Sequence, residues 1–287
     1  MSENELRNTA ATPMITKDLF ESASESSMQD KEKISAPSLS FMADSWRRLK
    51  KNKVAMVSLI ILIIISMSSL LAPVIAPHDP NAQTVQYANM PPKIPGIDIN
   101  GLNGTVKQNG VVIDKYEASN VPEDVYYYLG TDSLGRDLLS RILYGTRVSL
   151  FIAFMAALFN LTLGVVYGLT SGWLGGKVDN IMQRILEILS GVPNLVVVIL
   201  MLLVLKPGIS SIIIALALTE WLSMARVVRA QTLKLKNQEY ILAARTLGQS
   251  PMKIAFGHIL PNLAGVIIIQ VMFSIPSAIF FEAFLSF

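Results

Sequence analysis

Long apolar blocks dominate this chain, and charged residues interrupt them at few places. A helix needs about 20 apolar residues to cross the hydrocarbon core of a bilayer. Val54 to Ala76 meets that need without a charge and predicts a first span. Val148 to Gly176, also uncharged, predicts a second. Ile188 to Leu205 predicts a third, with Pro193 near its start. Pro207 to Ala225 predicts a fourth, interrupted by Glu220, and Asn262 to Phe281 a fifth, with Pro276 inside. Proline within a span is tolerated where neighbouring helices and waters re-satisfy the freed carbonyl. The pattern therefore predicts an all-α polytopic membrane protein with five spans in this chain.

The segments between the blocks differ in kind. Residues 1–40 are rich in Ser, Thr, Glu and Asp without an apolar period, which predicts a disordered tail. From Phe41 to Lys53, the apolar Phe41, Trp46 and Leu49 interleave with Arg47, Arg48, Lys50, Lys51 and Lys53. That suits a short interfacial helix on membrane lipid, or a plain basic flank. In the loop over 77–147, Thr105–Gln108 and Val111–Asp114 flank Asn109-Gly110 and read as a small hairpin. The hairpin is either a decorative insertion or a surface for a partner. Asp132 is a candidate N-cap for an amphipathic helix whose Leu134, Leu138, Leu139, Ile142 and Leu143 share a face. Such a helix would lie on the membrane surface, with Asp132, Arg136, Asp137 and Arg141 solvated or mutually paired.

A second polar stretch, residues 226–261, has finer grain. Asn237 is a candidate N-cap, nothing from Gln238 to Leu247 breaks a helix, and Gly248 stands where a terminating glycine would. Tyr240, Ala243, Ala244 and Leu247 fall at i, i+3, i+4 and i+7, one apolar and mostly small face. Ser250 and Pro251 then open another helix, as N-cap and first helical residue. This helix-turn-helix either packs on the protein's own bundle or seats a helix in the groove of another protein.

Charge places these segments. Basic residues cluster before the first span and, as Arg226, Arg229, Lys234, Lys236, Arg245 and Lys253, between the fourth and fifth. By the positive-inside rule the N-terminus and the 226–261 loop are cytoplasmic, and the 77–147 loop is outside.

Composition then excludes chemistry. With 52% hydrophobic and 16% charged residues and a net charge of +3, the chain is no nucleic-acid binder. It has no cysteine, and His78 and His258 are far apart, so thiolate chemistry and a metal cluster are not expected. Gly175-Gly-Lys177 fails as a phosphate-binding loop, because Ser171 replaces the first glycine and Val178 the Mg²⁺-reaching hydroxyl. No catalytic constellation is present, and no cofactor is expected on this chain. Glu187, Glu220, Glu282 and Lys206 fall toward predicted span ends, where they reach water or headgroups.

Ala243, Ala244, Gly248, Leu260 and Pro261 stand at the spacing of the E-A-A-x₃-G-x₉-I-x-L-P loop of bacterial ABC-importer permeases, which the segment resembles. Leu242 replaces the name-giving Glu, and His258 the Ile. The fuller stretch from Glu239 to Gly248 is similar to the oligopeptide/dipeptide/nickel subfamily. So are Leu71-Ala-Pro73 through His78-Asp-Pro80, Leu129-Gly-Thr-Asp132 through Arg136-Asp137, Ala225 to Arg229, and Glu282 to Phe287. The match covers about residues 41–287, apart from the 91–119 insertion, and is strongest to the "C"-type permease of a peptide importer.

The resemblance implies a type I ABC importer permease fold, with a sixth helix expected beyond Phe287. It implies a translocation subunit in the bacterial cytoplasmic membrane, partnered by a second homologous permease, two ABC ATPases and an extracytoplasmic peptide-binding protein. ATP and Mg²⁺ would be used by the ATPases. Tyr240, Ala243, Ala244 and Leu247 would form the ATPase-docking face, Arg245 a polar contact, Gly248 the turn and Pro261 the re-entry into the membrane. Oligopeptides lead dipeptides as the expected solute, with nickel as runner-up. A secondary transporter or membrane scaffold without nucleotide dependence is the alternative of another class.

Overall fold

The structure, a computed structural model, describes residues 41–108, 110–206 and 208–286. The tail expected over 1–40, Asn109 of the expected turn and Pro207 lie outside those residues. Two units are distinguished, divided after Ile61. The first holds helix α1 (Phe41–Lys51) and the start of α2 (Lys53–Leu70). In α1, Arg48 pairs with Asp44 one turn away at 2.7 Å, and Lys50 Nζ lies 5.4 Å from the centre of the Trp46 ring.

The second unit continues through α3 (Ala72–Ile75), a 3₁₀ turn (Val85–Tyr87), strands β1 (Thr105–Gln108) and β2 (Val111–Asp114), and α4 (Lys115–Ala118). The bundle follows: α5 (Leu138–Leu174), α6 (Gly176–Ser190), α7 (Asn194–Leu205), α8 (Ile209–Thr219), α9 (Trp221–Leu235), α10 (Glu239–Thr246), α11 (Pro251–Ile254) and α12 (Leu260–Ser286). A π-turn over Ala255–Ile259 joins α11 to α12. By length and composition, four helical stretches among the described residues can cross a membrane, or five if α6 and α7 count as one span.

The expected spans are present with different boundaries. The second is longer than expected: α5 starts at Leu138, so no separate surface helix exists. Asp137, not Asp132, caps it, its carboxylate accepting from Ser140 N at 2.9 Å. Nothing from Leu138 to Val148 breaks a helix, so the amphipathic stretch simply runs into the apolar one. The third span is broken, with α6 and α7 bent by 76°. The break holds Gly191 and Pro193, and a proline interrupts the hydrogen-bond ladder. The fourth runs on from Ile209 to Leu235, which moves Glu220 from an end to the middle. The fifth is one helical stretch from Pro251 to Leu285.

Pro261 does not interrupt that last helix. It has no N–H for the Gly257 carbonyl and its ring would crowd that oxygen. The π-turn just before it takes up the mismatch, with Leu260 N bonded to Ala255 O.

Helix α5 packs along α9 through a line of glycines. A Cβ on Gly164 would lie 2.5 Å from Met224 Cβ, one on Gly168 2.4 Å from Ala225 O, and one on Gly172 2.7 Å from Thr232 Cβ. Lipid offers no hydrophobic drive between helices, so close backbone approach is what holds such a pair.

The loop between α3 and α5 is a small folded body. β1 and β2 pair antiparallel, Thr105 opposite Asp114 and Gln108 opposite Val111, as the hairpin reading expects. Met90, Tyr116 and Tyr127 form its core, and the His78 ring stacks on Tyr127 at 4.7 Å. Burial pushes the Tyr116 hydroxyl up to about 12. Thr131 Oγ1 accepts from Met90 N at 2.8 Å. Asp132 turns the chain rather than capping a helix. Its carboxylate accepts from Leu134 N at 2.9 Å and Arg136 N at 3.0 Å and pairs with the side chains of Arg136 and Arg141. Burial raises its pKa, but hydrogen bonds from the Arg136 N–H, the Arg136 guanidinium and the Leu134 N–H outweigh that and hold it at about 2.

Candidate functional site

Helix α10 is eight residues long, too short to be stable alone. Its ends and one face hold it in place. The N-cap position is Gln238, not Asn237, and makes no side-chain cap. The other end closes fully. Gly248 has φ +77°, its N–H bonds to Arg245 O at 3.0 Å, and Gln249 N bonds to Ala244 O at 3.1 Å. These two bonds are the Schellman arrangement, which uses up orphan carbonyls at a glycine in the left-handed region. Ser250 then caps α11, its hydroxyl accepting from Lys253 N, with Pro251 as first helical residue.

The face that packs inward is not the one expected. Ile241 and Ala244 are buried, against Leu169, Val228, Ile254 and Ile259 among others. Ala244 therefore belongs to the bundle and not to the outer face. Tyr240, Leu242, Ala243 and Leu247 are exposed, Leu247 at 83%. Around the helix axis the apolar residues nearly encircle α10, and Ile241, the bulkiest aliphatic that can reach the α5–α9–α12 core, takes the inside. Arg245 stacks its guanidinium 4.6 Å from the Trp173 ring at the end of α5. Pro261 lies within the α12 helix as described.

A charged clamp lies where α5, α6 and α9 meet. Arg229 reaches Asp179 with two hydrogen bonds, 2.5 and 2.6 Å, and Ser171 Oγ donates to the same carboxylate at 2.5 Å. Lys236 Nζ donates to Gly172 O at 2.8 Å. Asp179 is buried, and a buried carboxylate is stable only with such partners. The paired residues are fifty positions apart in sequence, so only the polar residues flanking apolar runs hint at the clamp. At the motif position of an Ile, His258 shares a hydrogen bond with Gln249 at 2.9 Å. This ties the π-turn ahead of α12 back to the turn after α10.

The arrangement leaves an exposed, largely apolar surface on a helix whose other face is packed in the bundle. It holds no nucleophile beside a base. Among the described residues, no group of three His, Cys, Asp or Glu could hold a metal.

Sequence comparisons agree with this architecture. Residues 160–287 match the family described as binding-protein-dependent transport system inner membrane component. Residues 40–92 match the N-terminal TM domain of oligopeptide transport permease C. A dipeptide transport system permease protein of Lactococcus lactis subsp. cremoris is 50% identical over 263 residues, 89% of this chain and 76% of that protein. An oligopeptide transport system permease protein of Bacillus subtilis is 40% identical over 273 residues, 95% of this chain and 79% of that protein. A dipeptide transport system permease protein of the same organism is 40% identical over 259 residues, 90% of this chain and 71% of that protein.

Proposed function

The chain belongs to the binding-protein-dependent transport system inner membrane component family, with the type I ABC importer permease fold; from this premise we propose that it is a translocation subunit of an ATP-driven peptide importer. It is a multi-pass membrane permease and not an enzyme, the ATPase being a separate subunit. Its relatives' names support peptides over nickel as the solute. Relatives are named for dipeptides, at 50% and 40% identity, and for oligopeptides, at 40%, so their names leave the preference for oligopeptides as a proposal. Competition of labelled-dipeptide uptake by peptides of two to six residues tests that preference. Efficient competition by dipeptides only would reverse it.

In this reading the basic clusters put the N-terminus and α10 in the cytoplasm and the hairpin-bearing loop outside. The partners are a second homologous permease, two ATPases that use ATP and Mg²⁺, and an extracytoplasmic peptide-binding protein. α10 acts as the coupling helix, and ATP-driven closure of the ATPases biases the permease pair between inward- and outward-facing states. The observation that carries this is the division of α10. Ile241 and Ala244 are sunk in the bundle, while Tyr240, Leu242, Ala243 and Leu247 stay exposed beside a finished turn. A short helix anchored on one side and apolar on the other suits a groove in a partner. Arg245 stands at its edge, over Trp173, available to a polar group of the ATPase. Replacing Ala243→Glu should abolish co-purification with a tagged ATPase while the permease still accumulates in the membrane. Retained binding would overturn the coupling assignment.

A further inference from the structure

A polar layer crosses the bundle between two apolar clusters. On the α10 side lie Val165, Leu169, Met224 and Val228, and on the other Ile152, Ala156, Leu216 and Ala278. Between them come Asn160, Thr219 and Ser274, all buried, and the half-buried Glu220. Thr219 and Ser274 are satisfied, their hydroxyls donating to Ala215 O at 3.3 Å and Val271 O at 2.9 Å. The other two are not. Asn160, 5% exposed, has a buried Oδ1 without a hydrogen-bond partner. The Glu220 carboxylate has no hydrogen-bond or ion-pair partner among the described residues.

The two unsatisfied groups share a level. Gly164 packs against Met224, Gly168 against Val228 and Gly172 against Thr232, so the parallel helices advance together, one turn at a time. One turn the other way brings Asn160 level with Glu220. The helical span is Ile209–Leu235. At about 1.5 Å per residue, Glu220 lies about 16 Å from its start, near the middle of a core about 30 Å thick. A carboxylate at that depth is costly against lipid, and such residues face water-filled paths or other protein. The same side of the helix carries the exposed Ser223 and the half-buried Gln231 at i+3 and i+11.

We infer that Glu220, level with Asn160, is a cation-recognising position on the translocation path, where it meets the side-chain ammonium of a passing lysyl peptide. The inference rests on the peptide-importer reading and adds a specificity-determining residue to it. The carboxylate offers the ammonium a charge-assisted hydrogen bond in a poorly solvated place, where such bonds are strongest.

Two measurements test this on the complete complex with its binding protein in vesicles. The first compares ATP-driven uptake of two peptides differing only by Lys in place of Met, each normalised to its affinity for the binding protein. Glu220→Gln should lower uptake of the lysyl peptide about tenfold relative to the methionyl one. An equal loss for both would overturn the inference, since Glu220 would then pair with a basic group of another subunit. The second uses the absence of cysteine from the chain. Glu220→Cys should react with a trimethylammonium methanethiosulfonate reagent from the aqueous phase, followed on this chain's band, and react more slowly during peptide transport. A cysteine that stays unmodified would also overturn it. Failure of the unaltered complex to import either peptide would sink the importer reading, and the labelling would still decide whether Glu220 faces water.

Discussion

Gly135 and Gly248 have nearly the same backbone, φ +74° and +77°, and opposite surroundings. A Cβ on Gly135 would lie 1.9 Å from Thr84 O, whereas one on Gly248 would meet nothing within 4 Å. The turn before α5 is walled in by its own chain, and the turn after α10 stands open. The loop around Gly135 closes on itself, with Met90, Tyr116 and Tyr127 inside and its Asp132 carboxylate fully engaged. The α10 segment closes the hydrogen bonds of its C-terminal turn, yet leaves Leu247 and Met252 exposed. A left-handed φ at both shows only that each turn needs glycine. The neighbours show which surface is already complete and which is made to be covered.

The comparison breaks most easily at Gly135. Gly135→Ala combines overpacking against backbone with a left-handed conformation, and should cost about 3 kcal/mol. The check is the thermal midpoint of the purified protein, with protease resistance of the loop as the local probe. Asp132 comes next. Its folded pKa of about 2 lies below the ordinary 3.8, so its contribution of about 2 kcal/mol is complete above pH 4. That contribution is lost as pH falls through about 2. Proteolysis of the loop after brief acid exposure should rise in that window, and Asp132→Asn should already be susceptible at neutral pH. At Gly248 the same alanine substitution should cost only about 1 kcal/mol, the conformational part alone. A loss as large as that at Gly135 would erase the distinction between the two turns. The smallest effect on folding belongs to Leu247→Asp, within about 0.5 kcal/mol. Its consequence should appear instead as loss of the tagged ATPase on co-purification.

Short-range signals were readable in the chain and long-range ones were not. Apolar runs located the spans, Asn109-Gly110 lay between the strands, and Gly248 with Ser250-Pro251 marked the turn, because each depends on residues within a few positions. The face of α10 was not readable. Tyr240, Ile241, Leu242, Ala243, Ala244 and Leu247 give the helix apolar residues on most sides, so its period cannot choose, and packing chose Ile241 and Ala244. The place of Glu220 near the middle of its helix depended on α9 continuing to Leu235 beyond the apolar run, which hydropathy alone truncates. The bond between Asp179 and Arg229 joins positions that only the folded bundle brings together.

The glycine line between α5 and α9 sets the mechanics of the molecule. Side chains yield by changing rotamer, but backbone within van der Waals reach of backbone has nothing to rearrange. The two helices therefore bend and tilt as a single beam. At 37 residues and about 1.5 Å per residue, α5 makes that beam about 55 Å long. On the proposed coupling role, a push on α10, whose Ile241 and Ala244 are bedded against it, would reach that beam directly.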